Sequence, residues 1–304
     1  MTRSPLVLAA LSTQALHGLA AVGVEAVRER GDVDAALVTD ADGGRWVVRA
    51  PRSAAAGAAL EAEVAVLRLL APYVDAGVLP FTIPVPEGFA PLPEGGRAVV
   101  HAPLDGEPVD LSLLSAGPGL AADLGRVVAA VHELPLTVAA DVGLPVYSAE
   151  DYRLRRLSEV DEAARTGHVP TVLLERWEAA LEDVTLWRFQ PVVVHGDLGP
   201  EQVLTRGTRV RAVTGWSDVS VADPADDLAW LLVAAPADAA ESILEAYRLR
   251  RTDLADPHLE DRALLVGELE LARWLLHGVR TGQDDVVDDA VEMLHELAVA
   301  VAAG

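Results

Sequence analysis

Two polar segments in the second half of the chain have the residue types that proton transfer and metal binding require. An apolar run, Val192–Val194, leads directly into His195-Gly196-Asp197. A strand that ends in a carboxylate can present that group to a substrate, so Asp197 could act as a general base toward a hydroxyl. Gln202 follows five positions later and could offer its carbonyl oxygen to a cation. The other segment, Trp216-Ser217-Asp218, ends in a second carboxylate.

Several other chemistries lack the residues that they need. The chain has no cysteine and no lysine, which excludes disulfides, thiolate nucleophiles, iron–sulfur clusters and a Walker-type phosphate loop. Its eight histidines show no His-Glu-x-x-His spacing, which argues against a zinc hydrolase. The segment that starts at Gly215 resembles the beginning of a nucleophile elbow, but Val219 replaces the second glycine of that motif.

The elements that precede these segments predict a small mixed unit. Residues 33–50 predict a β-hairpin, with Asp42-Gly43-Gly44 as its turn. Apolar residues at helical spacing predict a helix over 54–70, and the proline-rich stretch 72–96 predicts loops. A short strand is expected at 98–101, followed by a hinge.

The remainder of the chain predicts a mainly helical unit that encloses a patch of strands. Thr171 is expected to cap the helix that it begins. The strands of the patch are predicted at residues 191–195, 202–204 and 209–215. The helices are predicted at residues 120–134, 171–184, 225–233, 237–250, 259–280 and 284–302.

The order of motifs along both halves resembles the aminoglycoside phosphotransferase family. The motifs are the run Val194–Leu204 with its His-Gly-Asp, then Gly215–Asp218, then Ala222–Ala229. Within the first run, the Asp and the Gln have the spacing of the base and the metal-binding Asn in kinase catalytic loops. The run Gly43–Arg52 is similar to the macrolide phosphotransferase branch, which carries a Trp-x-x-Arg-x-Pro-Arg strand. The resemblance covers most of the chain, about residues 30–250.

This resemblance implies an α+β, protein-kinase-like bilobal fold. A small β-rich N-lobe would occupy residues 1–100 and a hinge residues 101–108. A mainly helical C-lobe, with the catalytic loop and the substrate site, would occupy residues 109–304. The cofactor implied is a purine nucleotide, ATP or GTP, between the lobes, together with Mg²⁺.

The resemblance also implies roles for single residues. Asp197 matches the catalytic aspartate that orients or deprotonates the acceptor hydroxyl. Arg49 matches the strand cation that contacts the nucleotide phosphates, and Glu63 matches its carboxylate partner on the following helix, with Glu61 as a second choice. The hinge that receives the purine through backbone groups starts at His101-Ala102.

Two positions depart from the family pattern. Gln202 stands where most members have Asn and the macrolide branch has His. Gly215 stands at the position of the metal-binding Asp, and Asp218 is not an obvious replacement, because an acidic residue is common there beside that Asp. We therefore expect a weakened Mg²⁺ site, with Gln202 and Asp218 as its remaining candidates. Asp223 matches an aspartate that supports the active-site loops, and His195 could serve only to brace its loop.

The charge of the chain restricts its partners. The net charge is −23, from 47 acidic residues and 24 basic residues, all of them arginine. Nucleic acid and anionic membranes are poor partners for such a chain, whereas a neutral or cationic small-molecule acceptor suits it, although much of this charge could simply be solvated surface.

Polar residues interrupt the apolar stretch Leu6–Leu11, which disfavours a signal peptide, so a cytoplasmic location is expected. The protein is expected to be a monomer or a dimer.

Two functions remain open at this stage. The first is a small-molecule phosphotransferase that moves the γ-phosphoryl group of a purine nucleoside triphosphate to a hydroxyl of an amino-sugar or macrolide-like acceptor. The second is a catalytically impaired member of the same family that binds a nucleotide or another ligand without turnover. Gly215 is the position that separates them.

Overall fold

The computed structural model describes residues 2–27, 32–140, 143–252 and 256–303. The contacts within the chain define two compact units. One comprises Met1–Asp110 and Leu198–Val219, and the other comprises Leu111–Asp197 and Ser220–Gly304. Among the described residues, no helix is both long enough and apolar enough to cross a membrane.

A five-stranded antiparallel sheet forms the centre of the first unit. Its strands lie in the order β1-β2-β3-β5-β4, with a helix on each face. Val48 and Val100 pack with Leu8 of α1, whereas Val99 packs with Leu60 of α2. The elements are α1 (Pro5–Ala15), β1 (Ala21–Val27), β2 (Val33–Asp40), β3 (Arg45–Pro51), α2 (Ala54–Asp75), β4 (Pro86–Pro91) and β5 (Arg97–His101).

Several predictions for this sheet are confirmed, and others are wrong. The predicted hairpin is β2 and β3, closed by the Asp40 N–H bond to the Gly44 carbonyl at 2.8 Å. The predicted helix begins as expected but continues through Pro72 to Asp75. The stretch 72–96, which is predicted to be rich in loops, also contains β4. Pro86 and Pro91 are tolerated there because they lie at the ends of an edge strand.

A second sheet in the first unit has three strands. It pairs β6 (Glu107–Pro108) with β8 (Val203–Arg206) and β8 with β9 (Arg209–Val213), all antiparallel. Two of the predicted strands are therefore confirmed as β8 and β9. The end of the predicted hinge segment is the short strand β6, and the action of that segment as a hinge stays a prediction.

The second unit is mainly helical, as predicted, around a short two-stranded sheet. It does not enclose the whole predicted patch of strands, because β8 and β9 belong to the first unit. Trp177, Leu173 and Leu275 are among the residues of its apolar core. The strands are β7 (Val192–Val194) and β10 (Ser220–Ala222), which pair antiparallel. The helices are α3 (Leu120–His132), α4 (Thr137–Ala140), α5 (Ala149–Arg165), α6 (Thr171–Glu182), α7 (Ala225–Ala234), α8 (Ala237–Arg250), α9 (Leu259–Thr281) and α10 (Asp284–Ala303).

The sequence patterns missed three of these elements and misplaced one cap. Helices α4 and α5 and strand β10 were not predicted. Thr171 does not cap α6, because it is already the first helical residue and Pro170 occupies the capping position without a side-chain hydrogen bond.

Candidate active site

The loop after β7 presents Asp197 to solvent. Strand β7 is buried along its whole length and pairs with β10, with Val193 opposite Val221. The chain then turns at Gly196, whose φ of 84° lies in the left-handed region. The side chain of His195 is buried, whereas Asp197 is exposed. The strand thus delivers the carboxylate of Asp197 to the surface of the second unit.

Asp227, in the first turn of α7, holds this loop through its backbone. Its Oδ2 accepts the His195 N–H at 2.8 Å and its Oδ1 accepts the Gly196 N–H at 2.9 Å. Asp227 is fully buried. Burial alone would raise the pKa of its carboxyl, but the hydrogen bond from His132, together with that from the Gly196 N–H, lowers that pKa below its usual value. Asp227 is therefore an ionised anchor for the loop.

Two other residues near the loop have supporting contacts. The Nδ1 atom of His195 accepts the Asp197 N–H at 3.3 Å, so His195 braces the loop. Asp223 was expected to support the loop, but it pairs with a residue of α9 instead. Its carboxylate accepts two hydrogen bonds from Arg262, at 2.7 Å and 3.0 Å, and so ties the start of α7 to α9. The carboxylate that contacts the loop is Asp227.

In the first unit, Arg49 pairs with Glu63. The alternation of β3 places Arg49 on the face of the sheet that α2 covers. Its Nη1 donates to Glu63 Oε2 at 2.8 Å, and Glu63 is only 2% exposed. Glu61 lies elsewhere and forms a two-pronged pair with Arg97 at 2.7 and 2.6 Å. The pairing therefore favours Glu63 over Glu61 as the partner of Arg49.

His101 and Ala102 follow on the neighbouring strand. His101 ends β5 and is buried, and its Nδ1 lies 2.8 Å from the Ala102 carbonyl oxygen. Because a carbonyl only accepts, Nδ1 carries the proton. Burial lowers the pKa of His101 to about 4, so the ring is neutral near pH 7. The carbonyl of Ala102 keeps a second lone pair for another donor.

The candidate metal ligands also lie in the first unit. Gln202 is buried, and its Oε1 has no hydrogen-bond partner among the described residues. The Thr214 N–H donates to the Gln202 carbonyl at 2.9 Å, which places Gly215 beside Gln202 along the chain that continues β9. Asp218 is exposed and accepts a hydrogen bond from Ser217 Oγ at 2.7 Å.

This set of side chains fits Mg²⁺ poorly. Mg²⁺ in phosphate-transfer sites is held by one or two carboxylates as well as by the substrate phosphates. Here the buried donor, Gln202, is neutral, and Gly215 supplies no side chain. In the part of the chain that the structure describes, no group of three His, Asp or Glu residues is placed to hold a metal ion. The residue types at Gln202 and Gly215 could be identified from the sequence, but the orphaned oxygen of Gln202 required the structure.

The family model for the "phosphotransferase enzyme family" matches residues 23–298, and the chain belongs to that family. The macrolide 2'-phosphotransferase MphH from Brachybacterium faecium is 26% identical, with a TM-score of 0.81 over 95% of this chain and 97% of that one. A type I macrolide 2'-phosphotransferase is also 26% identical, with a TM-score of 0.80 over 97% and 98% of the two chains.

Two more similarities extend this result. The GDP complex of aminoglycoside 2'-phosphotransferase-IIIa is 21% identical, with a TM-score of 0.79 over 98% and 99% of the chains, and so shares the fold. Protein YcbJ of Bacillus subtilis (strain 168) is 27% identical over 199 residues, which span 64% of this chain and 65% of YcbJ. The predicted family and its α+β, kinase-like fold are confirmed.

Proposed function

We propose that this protein transfers the γ-phosphoryl group of a purine nucleoside triphosphate, ATP or GTP, to a hydroxyl of an amino-sugar or macrolide-like acceptor. The observation that carries the proposal is the exposed Asp197 on a loop that buried Asp227 holds by two backbone hydrogen bonds. A base for a hydroxyl needs this combination of access and fixed position. The names of the two 26% identical structures support a macrolide-like acceptor.

The proposed reaction uses few protein groups. The Asp197 carboxylate accepts the hydrogen bond of the acceptor hydroxyl and takes its proton as the new oxygen–phosphorus bond forms. The bond between the γ-phosphorus and the bridging oxygen breaks, and the nucleoside diphosphate leaves with the electron pair. Arg49, oriented by Glu63, binds the nucleotide phosphates, and the backbone at His101-Ala102 receives the purine.

A second candidate function rests on the poor fit to Mg²⁺. Phosphoryl transfer relies on a cation to neutralise charge on the transferring group. Without a carboxylate at Gly215, the chain would bind a nucleotide but turn it over slowly or not at all. In this case the protein is a nucleotide- or ligand-binding member of the family.

The test is a transfer assay with ATP and GTP against a macrolide and an aminoglycoside, with nucleotide binding measured in parallel. If the first function is correct, Asp197→Asn lowers kcat by about 100-fold or more and leaves nucleotide affinity nearly unchanged. Asp161→Asn, at an exposed position of α5 in the same unit, is the matched control and should match the native protein. Nucleotide binding without transfer would select the second function. A protein that neither binds nor transfers would overturn both.

A further inference from the structure

A buried chain of polar groups continues from Asp227 away from the loop that carries Asp197. His132, the last residue of α3, has its Nε2 at 3.1 Å from Asp227 Oδ2. Its Nδ1 lies 2.9 Å from the hydroxyl of Tyr247 on α8. The His132 and Asp227 side chains are both fully buried, and Tyr247 is 3% exposed. All of these residues belong to the second unit.

The proton positions along this chain follow from the partners. Asp227 is ionised and only accepts, so Nε2 of His132 carries a proton and donates it. Burial lowers the pKa of His132, so the ring is neutral and its Nδ1 has a lone pair. Burial also raises the pKa of the Tyr247 hydroxyl, which therefore keeps its proton and donates it to Nδ1. Each polar atom of the histidine ring is satisfied in one tautomer only.

One oxygen of Asp227 bonds both His132 and the loop backbone, which couples the histidine to the loop. Oδ2 of Asp227 accepts both the His132 ring proton and the His195 N–H, while Oδ1 accepts the Gly196 N–H. A buried carboxylate with one donor removed can rotate, and its rotation would misalign both backbone bonds. The ring contact between His132 and Tyr247, edge to face at 5.5 Å, fixes the imidazole in turn.

We propose that His132 is a positioning residue, which fixes the carboxylate of Asp227 and thereby the loop that presents Asp197, with Tyr247 holding the ring of His132 in the tautomer required. The expected effect of His132 on catalysis rests on the proposed function. Its effect on the order of the loop involves only residues of the second unit and can be measured without turnover. His132 touches no reacting group and acts only through Asp227.

The test is hydrogen exchange at the His195 and Gly196 amides of the full chain, with amides in the middle of α9 as an internal reference. His132→Phe keeps an aromatic ring but removes both hydrogen bonds, so exchange at the two loop amides should rise about tenfold or more relative to the reference. His132→Gln keeps a donor for Asp227 and should restore most of the protection. Tyr247→Phe should give an intermediate rise.

A matched control loses a similar buried hydroxyl beside a different aspartate. The Tyr152 hydroxyl donates to Asp226, next to Asp227, and accepts from Arg156 Nε at 2.9 Å. Tyr152→Phe should therefore lower stability but leave the ratio of loop to reference exchange unchanged. Equal exchange in native protein and His132→Phe, or an equal rise at the α9 amides, would overturn the proposal.

The native protein gives a second test that needs no variant. The ring nitrogens of His132 should show a protonated Nε2 and an unprotonated Nδ1 in their ¹⁵N shifts near pH 7. A protonated Nδ1 would overturn the proposal even if every variant failed to fold. If transfer is detected, His132→Phe should lower kcat with little change in the nucleotide KM, and His132→Gln should restore it. Absence of transfer in the native protein would count against the proposed function and leave the exchange result decisive for His132.

Discussion

Gly215 has a backbone conformation that few other residues adopt. Its φ is 78°, in the left-handed region where an L residue pays about 1 kcal/mol or more. Asp and Asn tolerate this region better than other side chains because their short polar groups bond locally. An aspartate could therefore be accommodated at this position, although glycine adopts the conformation with less strain.

We predict that Gly215→Asp makes nucleotide binding depend on Mg²⁺. The new carboxylate would add a charged oxygen ligand to the neutral oxygen of Gln202, and the affinity for Mg-nucleotide should rise about tenfold, which corresponds to ~1.4 kcal/mol. Isothermal titration with ATP or GTP, in Mg²⁺ and in EDTA, measures both the affinity and its metal dependence. If an acceptor is present, this variant should also gain transfer activity.

Gly215→Asn is the matched control for this change. It has nearly the same shape and the same tolerance for positive φ, but it lacks the negative charge, so it should not gain Mg²⁺ dependence. Tight Mg²⁺-dependent binding together with brisk turnover by the native protein would contradict the impaired-site interpretation. Asp218 or another carboxylate would then have to supply the ligand.

The sequence predicts which residue types form the site, but it does not distinguish between neighbouring residues of the same type. The types and spacing of His195, Asp197, Gln202 and Gly215 were readable directly. Which aspartate of Asp223 and Asp227 supports the loop was not, because both follow the same strand and only the packing of α7 sets which one faces the loop. His132 has no local signal, since its partners lie about a hundred residues away in sequence.

At the scale of elements, the approach of α3 to α8 brings His132 and Tyr247 together. Gly125, on the buried side of α3, lies against the backbone of α8. A Cβ at this position would come within 2.1 Å of the Ile243 carbonyl oxygen and 3.0 Å of the Tyr247 nitrogen. No side chain fits there without moving the backbone, so the absence of a Cβ sets the spacing of the two helices.

We predict that Gly125→Ala destabilises the protein by about 2 kcal/mol or more, because the obstacle is a helix backbone that cannot rotate away. Gly57→Ala in α2 is the control, since its Cβ would meet only Pro51 at an ordinary 3.7 Å. There the better helix propensity of alanine should stabilise by about 0.5–1 kcal/mol. The free energy of unfolding in urea measures both. Equal effects of the two substitutions would contradict the close-approach argument.

The elements that the sequence predicted share strong local signals. The hairpin has its Asp-Gly-Gly turn, and α9 and α10 have long apolar stripes. Helix α5 is rich in charge, and its apolar stripe is weak, although the capping box of Ser148 and Asp151 marks its start. Strand β10 pairs with β7, which lies in an earlier part of the chain, and so short a strand carries little local information. Strand β4 pairs with the neighbouring β5, but the prolines at both of its ends conceal its pattern.

At the scale of the whole molecule, the net charge of −23 is the dominant long-range feature. Part of this negative charge is neutralised by partners within the protein. The acidic cluster at 223–227 does not form a free rim, because Asp223 pairs with Arg262, Asp226 with Arg156, and Asp227 with His132 and the loop backbone. The pairs at 284–285 and 288–289 at the start of α10 are exposed.

The charge of the acceptor should affect how tightly it binds. An excess of exposed carboxylates repels anions and attracts cations over roughly the Debye length, which is about 30 Å at 0.01 M salt but about 3 Å at 1 M. An amino sugar should therefore bind more tightly than the corresponding sugar phosphate at low salt, and the difference should shrink as salt is added. Titration calorimetry at both ionic strengths measures this, with the uncharged sugar as a control whose affinity should stay nearly constant. Tighter binding of the sugar phosphate at low salt would show that cations close to the acceptor, rather than the charge of the whole chain, select the ligand.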